Sequence, residues 1–136
     1  MHYEWTESMA TGEAEIDAAH GTLIETINRL GDALERGTEA AEAADILSFL
    51  ETYAWRHFSQ EEGCFLRHHC PAADTNQKAH AGFVARLTHL RDEITREGVT
   101  PARVATLHRA LGDWLVNHIM KVDTTLRRAL EEPRRP

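Results

Sequence analysis

The chain has 136 residues, with 22 acidic side chains against 15 lysines and arginines, and a formal net charge of −7 at pH 7. That length fits one domain, and a hydrophobic fraction of 42% excludes a disordered tail. The acidic balance disfavours nucleic acid as a partner, because phosphate binding requires a basic face.

The first half of the chain contains two segments in which apolar residues recur at the three-and-four spacing of an amphipathic helix. The first helix is predicted over about 13–36, and Gly37 is a typical residue for its C-terminal end. The second helix is predicted over about 39–69, and Pro71 prevents its continuation. The spacing therefore predicts two consecutive helices joined by a short loop.

The second half repeats this pattern. A third helix is predicted over about 74–97, with Asp74 or Thr75 as its N-terminal cap. A fourth is predicted over about 100–131, where Thr100 supplies a capping hydroxyl and the next residue is proline.

Four helices of similar length with short loops predict an all-α protein, an up-down-up-down antiparallel four-helix bundle. Residues 1–12 are expected to form an N-terminal arm, and 1–136 a single domain. No stretch approaches the roughly 18 apolar residues that a membrane helix needs, and the acidic N-terminus does not resemble a signal peptide. Two cysteines are too few for a disulfide framework. We therefore expect a reduced, soluble, cytoplasmic domain that does not bind a membrane.

The distribution of the nine histidines needs an explanation. Residues four apart share a helix face, and by this rule every predicted apolar face carries a histidine and one also carries a carboxylate. These residues are His20 on the first helix, His57 and Glu61 on the second, His80 on the third and His118 on the fourth.

A buried polar group without a partner costs about 1–3 kcal/mol, so five of them would remove much of a small domain's roughly 5–15 kcal/mol of stability. A single buried histidine is usually hydrogen-bonded to a neighbour or to the backbone. Five groups that converge from four helices favour a metal site instead, since imidazole and carboxylate in a bundle core are ligands for iron, manganese or zinc.

Asp123 follows His118 by five residues, which is about 140° around a regular helix. The two side chains should not share a face unless the helix contains a π-type turn. Periodicity alone therefore predicts that Asp123 is a solvated surface acid.

The motifs as a set resemble the hemerythrin family, specifically its single-domain bacterial members, the bacteriohemerythrins. Trp5 and the segment 11–20, TGEAEIDAAH, are similar to the family's arm and first-helix signature. The segment 57–62, HFSQEE, is similar to its second-helix motif, and HAGF at 80–83 to its third. WLVNHI at 114–119, together with Asp123, resembles the fourth.

The resemblance implies two non-haem irons with an oxo or hydroxo bridge, and O2 that binds reversibly at one of them. By position, it implies that His20 and His57 ligate one iron and that His80 and His118 ligate the other. It also implies that Glu61 and Asp123 bridge the two metals. We expect five apolar residues to line the O2 pocket: Phe58, Leu111, Trp114, Leu115 and Ile119. Plain core packing is an equally good reading of these five side chains.

One position departs from the family pattern. The family places another histidine four residues before the one that corresponds to His80, and this chain has Asn76 there. An asparagine oxygen is a weak ligand for ferrous iron, so either Asn76 ligates the metal weakly or water or a small anion fills the position. An exchangeable position should speed oxidation of the oxygenated protein.

The resemblance leaves the use of the site open. O2 carriage, storage or delivery is the first reading, and an O2 or redox sensor that acts on an output domain is the second. An enzyme that reduces peroxide or nitric oxide with an electron donor is less favoured, because no obvious general acid accompanies the site. A structural zinc site remains an alternative. We expect Cys64 to be a packed thiol, although a redox disulfide with Cys70 is an alternative. We expect His68 to line the bundle end or to pair with the loop, and a metal role is an alternative.

Overall fold

A computed structural model describes residues 2–131 of the chain. Its long helices are α1 (Ala14–Arg36), α2 (Glu39–Arg67), α3 (Ala73–Glu97) and α4 (Pro101–His118). A short 3₁₀ turn, Glu7–Met9, precedes α1, and a π turn, Ile119–Asp123, connects α4 to a last helix, α5 (Thr125–Glu131). Residues 2–131 contain no strand, as the all-α prediction requires, and no helix among them is long and apolar enough to cross a bilayer.

Most helix ends agree with the signals in the sequence. Gly37 ends α1 with φ +71°, in the left-handed region that glycine adopts without steric cost. The Thr100 hydroxyl accepts a hydrogen bond from the backbone N–H of Arg103 at 3.2 Å and caps α4. The predicted cap of α3 is wrong, because that helix begins at Ala73 and no side chain caps it.

Two predicted helices differ from the observed ones in extent. The second ends at Arg67, two residues before the predicted limit, because the chain turns at His69 with φ +50°. The fourth is interrupted after His118 by the π turn, so the predicted span 100–131 is two α-helices with a wider turn between them.

The apolar stripes of the four long helices meet in one core. Helix α1 packs against α2 and α4, and α3 packs against α2 and α4, which is the arrangement of a four-helix bundle. Loops of two to five residues join these helices, a length typical of antiparallel neighbours. A smaller group, the minor apolar core, lies beside the C-terminal end of α2 and consists of Ile16, Cys64, Phe65, Cys70 and Leu126.

The N-terminal arm is attached to the bundle through Tyr3. Its backbone N–H donates to Asn28 Oδ1 at 2.8 Å, and Asn28 Nδ2 donates back to the Tyr3 carbonyl at 2.7 Å. The Tyr3 hydroxyl donates to Asp113 at 3.0 Å. Its ring lies so close to Gly112 that a Cβ there would be 2.1 Å from two ring carbons, so only glycine allows this contact.

Candidate metal centre

The bundle interior contains two groups of polar side chains whose ligand atoms lie within 4.8 Å of one another. The first cluster is His20, His57 and Glu61, and the second cluster is Glu61, His80, His118 and Asp123. All six side chains are buried, and they come from α1, α2, α3, α4 and the π turn. Residues far apart in sequence therefore form one polar centre inside an apolar core.

Glu61 belongs to both clusters. Its Oε2 lies 3.0 Å from the Nε2 atoms of His20 and His57, while its Oε1 lies 3.0 Å from the Nε2 of His80. The spacing of His57 and Glu61 along α2 puts both on the inward face, as predicted. One carboxylate therefore faces both groups of imidazoles.

Asp123 faces both clusters as well, and the π turn is the reason. The N–H of Thr124 donates to the carbonyl of Ile119 at 3.0 Å, a bond that spans five residues in place of four. The extra residue rotates Asp123 inward, so that Oδ1 lies 3.1 Å from His118 Nε2 and Oδ2 lies 3.1 Å from His20 Nε2. The π-type turn that the spacing argument named as its exception is present, so only the surface position expected of a regular helix is wrong.

The donor set fits a cation better than it fits hydrogen bonds. Glu61 Oε1 and Asp123 Oδ1 are close to imidazole nitrogens, yet neither has a hydrogen-bond partner with acceptable angles. His118 Nε2 is within 3.2 Å of both His80 Nε2 and Asn76 Oδ1, and one nitrogen cannot satisfy all its neighbours. Converging lone pairs of this kind are satisfied by metal ions, for which imidazole and carboxylate are suitable ligands.

Without a cation, the carboxylates attract protons to the imidazoles. Burial alone lowers the pKa of His20, but hydrogen bonds to Asp123 and Glu61 outweigh it and raise the pKa to about 9. The pKa of His80 is raised in the same way, mainly by its contact with Glu61. Burial acts to raise the pKa of Glu61, but its three histidine partners hold that pKa well below the usual range. Metal ligation needs neutral imidazole, so protons and cations compete for this centre.

Asn76 lies beside the second cluster and is fully buried. Its Oδ1 is 2.9 Å from His118 Nε2, and its Nδ2 has no hydrogen-bond partner among the described residues. The side chain therefore directs an acceptor at the centre and has a buried donor that is unpaired among the described residues. A histidine at this position would supply a third imidazole to the second cluster.

Aromatic side chains cover one side of the centre. Phe58 stacks on the His80 ring with centroids 3.8 Å apart, and Trp114 stacks on His118 at 4.5 Å. Leu111, Leu115 and Ile119, which complete the predicted pocket lining, are buried in the same core as Phe58.

Sequence reasoning missed two residues at the centre. Phe83 lies against Trp114 with ring centroids 4.4 Å apart and completes the aromatic layer. Its position three residues after His80 was the signal that could have identified it. Glu62 accepts a hydrogen bond from His80 Nδ1 at 2.9 Å. Helical spacing gave no signal for Glu62, because a residue next to a buried position on a helix usually points away from the core.

The remaining histidines of the described chain lie elsewhere. His2, His69 and His89 are exposed. His108 is buried beside the Tyr3 ring, with centroids 5.6 Å apart and no contact with the centre. His68 lies with Glu13 and Cys64 in a separate group at the end of α2.

Comparison with known proteins gives consistent matches over most of the chain. The family model described as the hemerythrin HHE cation binding domain matches residues 11–130. Bacteriohemerythrin of Pseudomonas aeruginosa (strain LESB58) is 31% identical over 123 residues, which cover 90% of this chain and 77% of that protein. Myohemerythrin of Theromyzon tessulatum is 25% identical and hemerythrin subunit alpha of Lingula anatina 24% identical, each over 89% of this chain and over 88% and 89% of their own lengths.

Proposed function

Since the chain belongs to the hemerythrin family, we propose that it holds two non-haem irons and binds O2 reversibly, for carriage, storage or delivery. The observation that carries the proposal is the sharing of Glu61 between two clusters of buried ligand atoms. The second cluster alone contains the four ligands that a structural zinc takes, but a single zinc there would leave His20 and His57 beside the shared carboxylate without a metal.

The distances support the proposed ligands. His20 and His57 would hold one metal and His80 and His118 the other, with Glu61 and Asp123 as the carboxylates common to both. Glu61 presents one oxygen to the first pair and the other to His80, and Asp123 presents one oxygen to each side. If two ferrous ions were bound by these residues, they would supply the electrons with which O2 is held reversibly.

The protein's own groups prepare this centre in two ways. The His80 Nδ1–H donates to Glu62, which fixes the tautomer and leaves the Nε2 lone pair directed at the second cluster. Phe58 and Trp114 lie flat against the His80 and His118 rings, and this aromatic wall would limit the access of water to the centre from that side. The wall thus serves reversible binding better than turnover, so we expect no enzymatic activity.

Because Asn76 replaces an imidazole ligand, the second cluster is the side of the proposed centre at which water or small anions can exchange. Its oxygen already faces His118, so it is placed either to ligate weakly or to hold a water or small anion. Its unpaired Nδ2 is a donor that such an anion would accept from. We expect faster oxidation of the oxygenated protein than a third imidazole would give.

The experiment that tests the function is an absorption spectrum of the anaerobically reduced, iron-loaded protein before and after O2. The expected result is two irons per chain and a visible charge-transfer band that appears with O2 and disappears under argon. Zinc in place of iron in protein made in iron-rich medium, or no band with O2, would refute the proposal.

Asn76→His tests the role given to Asn76. The variant should oxidise more slowly after oxygenation and bind azide more weakly in the oxidised state, because a third imidazole occupies the exchangeable position. Stopped-flow oxygenation of both proteins measures the lifetimes. Equal lifetimes would show that Asn76 does not control access to the metal.

A sensor function is the second candidate, and Asn76 is the observation that favours it, because rapid oxidation suits a signal better than a carrier. A sensor must change its surface with oxidation state. Hydrogen exchange compared between the reduced and oxidised protein would show this change in surface segments of α1–α4, and identical exchange would leave carriage as the function.

A further inference from the structure

A second group of metal-ligating side chains lies outside the centre described above. Cys64, His68 and Glu13 bring a sulfur, an imidazole nitrogen and a carboxylate oxygen within 4.8 Å of one another. We call these three residues the thiol site. Cys64 is buried in the minor apolar core, while Glu13 and His68 are partly exposed, so the group is open to solvent on one side.

The local backbone positions these three side chains. Cys64 and His68 are one helical turn apart at the end of α2, where the His68 N–H donates to the Cys64 carbonyl at 3.1 Å. Glu13 immediately precedes α1, and its backbone N–H donates to the Thr11 hydroxyl at 3.2 Å. Thr11 is itself buried and hydrogen-bonded to Asp17. The thiol site is therefore held from both sides by ordered backbone.

The side chains of the thiol site make few other polar contacts among the described residues. The Arg67 guanidinium is a further polar neighbour of the Cys64 thiol and acts to lower its pKa. Glu13 is at the N-cap position of α1, but its carboxylate makes no capping hydrogen bond. His68 forms no ion pair or side-chain hydrogen bond in the part of the chain that the structure describes, and Cys64 is a free thiol. Burial and the nearby Glu13 carboxylate raise the pKa of the Cys64 thiol, so a cation between the two groups would relieve both effects.

The chemistry of the donors selects the metal. A thiolate, an imidazole and a carboxylate form the soft-to-borderline set that suits Zn²⁺, with water as a fourth ligand on the open side. Zn–N and Zn–S bonds of about 2.0 and 2.3 Å imply ligand spacings of roughly 3.3–3.8 Å. The side chains would need to close by about 1.5 Å at most, which rotamer adjustment of the partly exposed Glu13 and His68 can supply.

We propose that Glu13, Cys64 and His68 form a second metal site that binds one Zn²⁺ and ties the end of α2 to the start of α1. The site is independent of the di-iron centre, since the two share no residue. Occupation stabilises the folded chain, because Glu13 is distant in sequence from Cys64 and His68 and meets them only in the folded protein.

Cobalt spectroscopy on the iron-loaded protein tests the proposal, since none of the proposed iron ligands contains sulfur. Titration with Co²⁺ under reducing conditions should produce one equivalent of a thiolate-to-cobalt charge-transfer band, which Zn²⁺ then removes. Cys64→Ser should abolish the band and Glu13→Gln should weaken binding at least tenfold. The matched controls Cys70→Ser and Glu15→Gln should bind as the parent does.

The outcomes separate this site from the proposed function. No thiolate band, or a band that survives Cys64→Ser, overturns the thiol site. Cys64→Ser alters a buried position and can prevent folding, so Glu13→Gln is the second test. Unchanged Co²⁺ affinity in Glu13→Gln overturns the proposal. Iron content and the O2 response are recorded on the same samples, so loss of either with the thiolate band intact counts only against the di-iron function.

Discussion

Glu61→Gln is the substitution that tests the shared carboxylate most directly. The variant keeps the shape of the side chain and removes the charge that faces His20, His57 and His80 at 3.0 Å. Loss of an outer hydrogen-bond partner of a metal ligand costs about 10–100-fold in affinity, and loss of a direct ligand costs at least the upper value. Gln keeps one oxygen, so one cluster loses a direct ligand and the other keeps a neutral and weaker one. The two losses together give at least about 10³-fold in all, or about 4 kcal/mol.

The assay is iron content per chain after dialysis against a graded series of chelators. Glu62→Gln is the matched control, since this neighbour touches only His80 Nδ1, and it should lose affinity on one side and by no more than about 100-fold. Circular dichroism verifies that both variants fold. If Glu61→Gln retains two irons at the parental affinity, or behaves as Glu62→Gln does, the two clusters do not share a metal bridge and the reasoning fails.

Three further predictions concern stability. Gly112→Ala should lower the free energy of unfolding in urea by about 2 kcal/mol, because the new Cβ overlaps the Tyr3 ring. The control Gly82→Ala, where nothing lies within 4 Å of the new Cβ, should raise it by about 0.5–1 kcal/mol. Equal effects would contradict the contact between the arm and the bundle. In metal-free protein the raised His20 pKa of about 9 contributes about 3 kcal/mol of stability. This contribution is fully present below pH 6.5 and is lost as pH rises through 9. A free energy of unfolding that stays constant over this pH range would refute the prediction. Thr100→Ala should cost about 1 kcal/mol through loss of the α4 cap, and a change below 0.3 kcal/mol, measured in the same urea series, would show that the cap is not stabilising.

The helical fold could be read from the sequence because its signals are local. Apolar spacing, the glycine at 37 and the Thr100-Pro101 pair depend on a few neighbouring residues, and the observed helices follow them closely. Where local signals were weak the predictions failed, as at the start of α3, which has no side-chain cap. Four inward histidines and Glu61 were also recognisable, because a polar residue on an apolar stripe conflicts with burial unless it has a partner.

The sequence by itself therefore determined the fold class and most of the polar residues of the centre, since both are set by spacing along single helices. Tertiary structure decided three things: that Asp123 turns inward, that Glu62 holds His80, and that Glu13 meets Cys64 and His68. The first requires a wider turn that periodicity cannot anticipate, and the other two join residues from different parts of the chain. Contacts of that kind depend on how helices pack against one another, and no spacing within a single helix records them.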